Sequence, residues 1–122
     1  MATNLAENEV RAIARHIGMS PQKVRLVADL VRGKRAKEAL DILRFTPKAA
    51  AEPVSKVIAS AVANAVENKQ FTEADLVISQ IYVDGAPSRS WRRFAARGRF
   101  RPLERKSSHI TVVLKEVVPT EG

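Results

Sequence analysis

Apolar residues recur at intervals of three and four through Val54, Val57, Ile58, Ala61, Val62, Ala65 and Val66. That interval puts them on one face of a helix, and it is the clearest periodic run in the chain. Its alanines allow another element to approach closely. Pro53 constrains the start, because an interior proline removes a backbone hydrogen bond and kinks the helix. The helix therefore begins near Glu52 or bends there, and Asn68 and Lys69 suit its end. A shorter helix is predicted over SPQKVRLVADLVRGK. Ser20 suits the N-cap, with its hydroxyl accepting an orphan N–H. Pro21 suits the first helical position, and Gly33 suits a left-handed exit. Val24, Val27, Ala28 and Val31 form its apolar face. AKEALDILR predicts a third helix, with Ala36, Ala39, Leu40 and Leu43 on one side. Phe45 and Phe71 stand next to helix ends and are expected in the core.

Elsewhere the pattern changes from helical to alternating. Residues 76–84 (LVISQIYVD) and 108–118 (SHITVVLKEVV) are rich in β-branched residues. In the second run, Ile110, Val112 and Leu114 face one way, and His109, Thr111, Val113 and Lys115 face the other. EVRAIARHI, Glu9 to Ile17, is ambiguous in period but short enough to be a third strand. The expected architecture is α+β: a small antiparallel sheet packed on three helices.

Residues 85–107 separate the last two strands. A structureless loop of that length is improbable inside a compact domain. The better reading extends both strands into a long protruding β-hairpin that turns somewhere between Trp91 and Gly98. At about 3.3 Å per residue, each arm of roughly ten residues reaches about 30 Å. The expected division of this single 122-residue domain is a body of residues 9–84 plus 108–118 and an arm of residues 85–107.

Charge gives the arm its purpose. The formal net charge of the chain is +8, and residues 88–106 alone carry eight basic side chains against Glu104. Seven of the eight are arginines: Arg89, Arg92, Arg93, Arg97, Arg99, Arg101 and Arg105, joined by Lys106. Trp91, Phe94 and Phe100 lie among them. A ribbon with little core and much self-repulsion is marginal alone. A polyanion offers each arginine a phosphate and releases condensed counterions, and the aromatics can stack on bases. Arginine rather than lysine favours folded RNA, because a planar guanidinium binds phosphate with two prongs and stacks on bases. A disordered basic tail or a nuclear-localisation cluster is the alternative, and the strand resuming at Ser108 argues against it. A second basic segment holds Arg11, Arg15, Lys23, Arg25, Arg32, Lys34, Arg35 and Lys37 against Asp29, whereas residues 38–87 are net acidic. The two segments read as one or two contact surfaces. Taken singly, Arg25 and Arg32 read better as solvated surface charges; with Lys23, Lys34, Arg35 and Lys37 they form a basic end, and the group reading is the stronger.

Other classes fit poorly. The chain has no cysteine and so no disulfide framework or cysteine-based zinc site. Neither histidine, His16 nor His109, has a ligand partner at metal spacing in sequence, and His109 reads as a structural histidine in a strand. No serine has a visible base, and DGAP (residues 84–87) is a turn signal rather than a phosphate loop. No metal, cofactor or catalytic residue is expected. No apolar run approaches the roughly 20 residues that span a bilayer. The N-terminus lacks the basic head and apolar body of a secretory signal, so an intracellular location without a membrane partner is expected.

The segments SPQKVRLVADLVRGK, ANAVENK, IYVDGAPS and SHITVVL, in this order and spacing, resemble the bacterial-type large-subunit ribosomal protein twenty-two family over roughly Val10 to Lys115. The resemblance implies an α+β protein of the large subunit whose hairpin passes through rRNA to line the nascent-peptide exit tunnel. The expected RNA-binding set is then the basic positions named above from Arg11 to Arg35, together with Arg89, Trp91, Arg92, Arg93, Arg97, Gly98, Arg99, Arg101, Arg105 and Lys106. Ser90, Trp91, Arg92, Arg93, Phe94 and Arg97 would form the tunnel tip, where changes in the family alter macrolide sensitivity. Arg97, Gly98 and Arg99 match the family's tip pattern. Gln22 replaces a common Arg, Phe94 and Ala95 replace a Pro-Arg pair, and Trp91 stands where a basic residue is usual. Large-subunit rRNA, neighbouring ribosomal proteins and the nascent polypeptide are the implied partners, on a cytoplasmic or organellar ribosome. A non-ribosomal architectural nucleic-acid binder and an anionic-lipid module are the alternatives from other classes.

Overall fold

The computed structural model describes residues 8–95 and 99–117, with side chains for 8–86 and 107–117. The order of elements is β1 (Glu9–Ile17), α1 (Pro21–Val31), α2 (Ala36–Arg44), α3 (Ala51–Asn68), a 3-10 turn (Glu73–Asp75), β2 (Leu76–Ala95) and β3 (Arg99–Glu116). The strands form one antiparallel sheet in the order β1-β3-β2. The three helices complete the expected α+β arrangement, and none of the described helices is long and apolar enough to cross a membrane.

The three helices bury the faces their spacing predicts. Val24, Val27, Ala28 and Val31 of α1 are buried, as are Ala36, Ala39 and Leu43 of α2. On α3, Val54, Val57, Ile58, Ala61, Val62 and Ala65 are buried against Val10, Ile78, Ile81, Ile110, Val112 and Leu114 of the sheet within one cluster. α3 starts at Ala51, which puts Pro53 in the first turn, where an N–H has no helical acceptor to lose. Gly33 leaves α1 at φ +79°, the left-handed exit expected of it.

Three expectations about single residues are corrected. Ser20 holds the N-cap position, and its carbonyl accepts the first helical bond from Val24 N–H at 3.2 Å, but its side chain makes no capping hydrogen bond. Phe45 follows α2 at its C-cap and is 80% exposed, so it is not core, whereas Phe71 packs against the core as expected. Val66 lies at the margin of the α3 face and is exposed. Val113 lies on the sheet face away from the helices, yet only 4% of it is exposed; its cross-strand neighbours are Arg11 and Gln80.

β2 is an edge strand, and its free edge is covered over the body. Gly33 N–H donates to the Ile78 carbonyl at 3.2 Å, and Ile78 N–H donates to the Lys34 carbonyl at 2.9 Å. Arg35 and Val77 form an antiparallel bridge. The chain leaving α1 thus supplies a short fourth rung to a strand that would otherwise expose its backbone groups.

Candidate nucleic-acid interface

The α1 arginines point back onto β2. Arg25 donates from Nε and Nη2 to the Val83 carbonyl at 3.1 and 2.9 Å. Arg32 donates from Nη2 to the Ile81 carbonyl at 3.0 Å and pairs through Nη1 with Asp29. Arg35 donates to the Ala74 carbonyl at 3.1 Å. The spacing of seven between Arg25 and Arg32 places them along one side of the helix, and that side runs beside β2. Arg25 and Arg32 therefore each bond a carbonyl of the edge strand β2 while their charge stays at the surface, and Arg35 bonds the turn just before it. Lys23, Lys34 and Lys37 are exposed around them.

The sheet divides the first basic segment in two. Arg11 and Arg15 belong to β1, at the opposite edge from β2, with β3 between. Arg11 lies opposite Val113, on the face away from the helices. The cluster on α1 and the chain after it adjoins the strand that leads into the arm. The pair on β1 adjoins β3, the strand that returns from the arm.

Beyond the body, β2 and β3 stay paired from Ala86 opposite Ser107 to Ala95 opposite Arg99, with an irregularity between Ala86 and Arg89. The hairpin expected from the sequence is present as a paired ribbon. Its register sets Arg89 opposite Arg105, Arg93 opposite Arg101 and Phe94 opposite Phe100. The expected turn includes Arg97 and Gly98, which lie outside the described residues.

Two residues that sequence spacing kept apart are in contact. His16 N–H donates to His109 Nδ1 at 3.1 Å, and the rings meet edge to face with centroids 4.8 Å apart. His16 takes φ +57° where the β1–β3 register shifts between Ala14 and Ile17. The accepting Nδ1 puts the proton of neutral His109 on Nε2. His109 is thus hydrogen-bonded as a structural residue, and no group of three or more metal-ligating side chains exists among the described residues. A period-based reading finds no such pair, since the contact depends on the shift in β1.

Residue spacing also missed a cavity at the root of the arm, lined by Ser20, Pro21, Gln22 and Arg25 of the α1 start, Gly85 and Ala86 of β2 and Ser107 of β3. Only SPQKVR and the hairpin turn signal hint at it, and they lie far apart in sequence.

The family described as Ribosomal protein L22p/L17e matches residues 12–115. A large ribosomal subunit protein uL22 from Desulforamulus reducens is 49% identical over 108 residues, covering 88% of this chain and 96% of the relative. Proteins of the same name from Desulfitobacterium hafniense strain Y51 and Dehalococcoides mccartyi strain CBDB1 are 48% and 53% identical over 108 residues. With a match across most of its length and close relatives covered almost end to end, the chain belongs to the ribosomal protein L22p/L17e family, whose members are structural, non-enzymatic proteins of the large ribosomal subunit.

Proposed function

We propose that this protein binds large-subunit rRNA, aids its assembly, and lines the nascent-peptide exit tunnel with the tip of its arm. The observation that carries the reading is the ribbon itself. β2 runs for 20 residues and β3 for 18, and they stay paired well past the helices. The part beyond the body holds most of the chain's net charge. A two-stranded ribbon of that composition has little to stabilise it in water, and RNA supplies both counter-charge and stacking surfaces. In this reading, residues 9–84 and 108–118 dock as a body, residues 85–107 thread between RNA segments, and Ser90, Trp91, Arg92, Arg93, Phe94 and Arg97 meet the nascent polypeptide. Neighbouring large-subunit proteins complete its surroundings, in the cytoplasm or in an organelle.

The test is incorporation. Tagged protein expressed in cells should co-sediment with large-subunit particles and stay there through a high-salt wash. A variant with the arm cations replaced by Gln should be lost in the wash. Release of the wild-type protein at moderate salt would contradict an rRNA-embedded arm and favour a peripheral nucleic-acid binder.

A further inference from the structure

We propose that the cavity at the root of the arm is a site for one phosphodiester of an RNA strand, with the Arg25 guanidinium as its anchor. This rests on the RNA-binding reading above and adds a specific place to it. The cavity measures about 340 Å³ and lies where the start of α1 meets both strands of the arm. Among the described residues, its lining contains one cation, Arg25, and no carboxylate, with Ser20, Gln22 and Ser107 around it.

Arg25 is prepared for such a ligand in two ways. Nε and Nη2 are held by the Val83 carbonyl, which fixes the plane of the group. A guanidinium has five N–H donors, so Nη1 and the second Nη2 hydrogen remain for a two-pronged contact with phosphate. Ordering the side chain before the ligand arrives reduces the entropy lost on binding. Its charge is also uncompensated: no ion pair to Arg25 exists among the described residues, in contrast to Arg32 and Asp29.

The walls are fixed relative to one another. Buried Ser108 donates from Oγ to the Met19 carbonyl at 2.7 Å, tying β3 to the turn before α1. A Cβ at Gly85 would stand 3.7 Å from Pro21 Cγ, so α1 already rests on β2 here. Ser20, whose hydroxyl makes no capping bond, lines the cavity. An RNA strand fits better than a free anion because the cavity opens at the foot of the ribbon. Arg89 and Lys106 follow within a few residues of Gly85 and Ser107 in the sequence, so one strand can meet the cavity and then the arm.

Binding of a fluorescein-labelled 12-nucleotide oligouridylate to the full-length protein, followed by anisotropy across a salt series, tests this. Arg25→Gln should reduce the magnitude of the log–log salt slope by about 0.7, the loss of one phosphate contact on a single strand. Arg25→Lys keeps the charge but not the fork, and it should weaken binding about fivefold. Gln22→Glu puts a carboxylate in the cavity wall without touching the Arg25–Val83 bonds. It should weaken binding at least threefold more than Ser60→Glu on α3, with thermal melting confirming that both variants fold. An unchanged slope for Arg25→Gln, or Gln22→Glu no worse than Ser60→Glu, overturns the cavity site while leaving RNA binding intact. A wild-type protein that shows no salt-dependent binding overturns the RNA-binding reading itself.

Discussion

Gly33 and Gly18 are both glycines next to an element end, and only one of them needs to be glycine. Gly33 adopts φ +79°, which a Cβ disfavours, while Gly18 lies outside that region, and a Cβ there meets nothing within 4 Å. Gly33→Ala should cost about 1 kcal/mol from the left-handed backbone. Gly18→Ala should be neutral or stabilise by up to about 1 kcal/mol, through the unfolded chain. Denaturant midpoints of the two variants check this, and equal shifts would contradict it. Ser108 raises a different question, that of a buried polar group. It is fully buried, and its hydroxyl is the donor to Met19. Ser108→Ala should cost about 1–2 kcal/mol, because the Met19 carbonyl loses its hydroxyl donor. The same measurement reads it.

At the scale of elements, α3 is the centre of the body, and its buried face tolerates little change. Val57→Asp places a charge at a position 3% exposed, with no cation among the core residues around it, and should unfold the body by loss of several kcal/mol. Phe45, at 80% exposure, is the matching control. Phe45→Ser should change stability by less than about 0.5 kcal/mol. Circular dichroism melting of both variants distinguishes a buried element face from an exposed element end. The β2 edge shows another principle of assembly. A bare edge strand invites pairing with other chains, and here the segment after α1 and two arginines occupy it from Val77 to Val83.

On the scale of the whole molecule, the proposed division into a body of residues 9–84 plus 108–118 and an arm of residues 85–107 predicts that the two respond to different variables. Arg92→Ala and Arg93→Ala should leave the melting temperature nearly unchanged and weaken RNA binding. If about six arm cations meet phosphates, the log–log slope of affinity against salt should be about −4 to −5, and replacing three arginines should roughly halve it. A slope near zero would mean that stacking or protein contacts carry the binding. Deleting residues 90–92 should re-aim the tip while the body still docks. Ribosomes carrying the deletion should assemble and differ from wild type in macrolide inhibition or in stalling by tunnel-sensing peptides. Normal assembly with no difference in either would place the tip away from the tunnel.

The helices and strands were legible in the chain because periodicity is a local property. Intervals of three and four in α3, Pro21 and Gly33 around α1, and alternation in Ile110, Val112 and Leu114 each state which face is apolar, and burial followed. The arm was legible because its arginines and its strand-like flanks lie in one continuous stretch. Positions at the margins were not. Phe45 and Val66 are apolar next to apolar faces, and only the packing of neighbouring elements decided that they stay exposed. Contacts between distant segments were hidden for the same reason. His16 meets His109 through a shift in strand register, and Arg25 reaches Val83 across 58 positions. The cavity they leave at the root of the arm exists only once α1 lies on β2 and Ser108 ties β3 to Met19. Sequence determines which face each element buries; which polar groups meet at its ends is decided by how elements far apart in the chain are brought together.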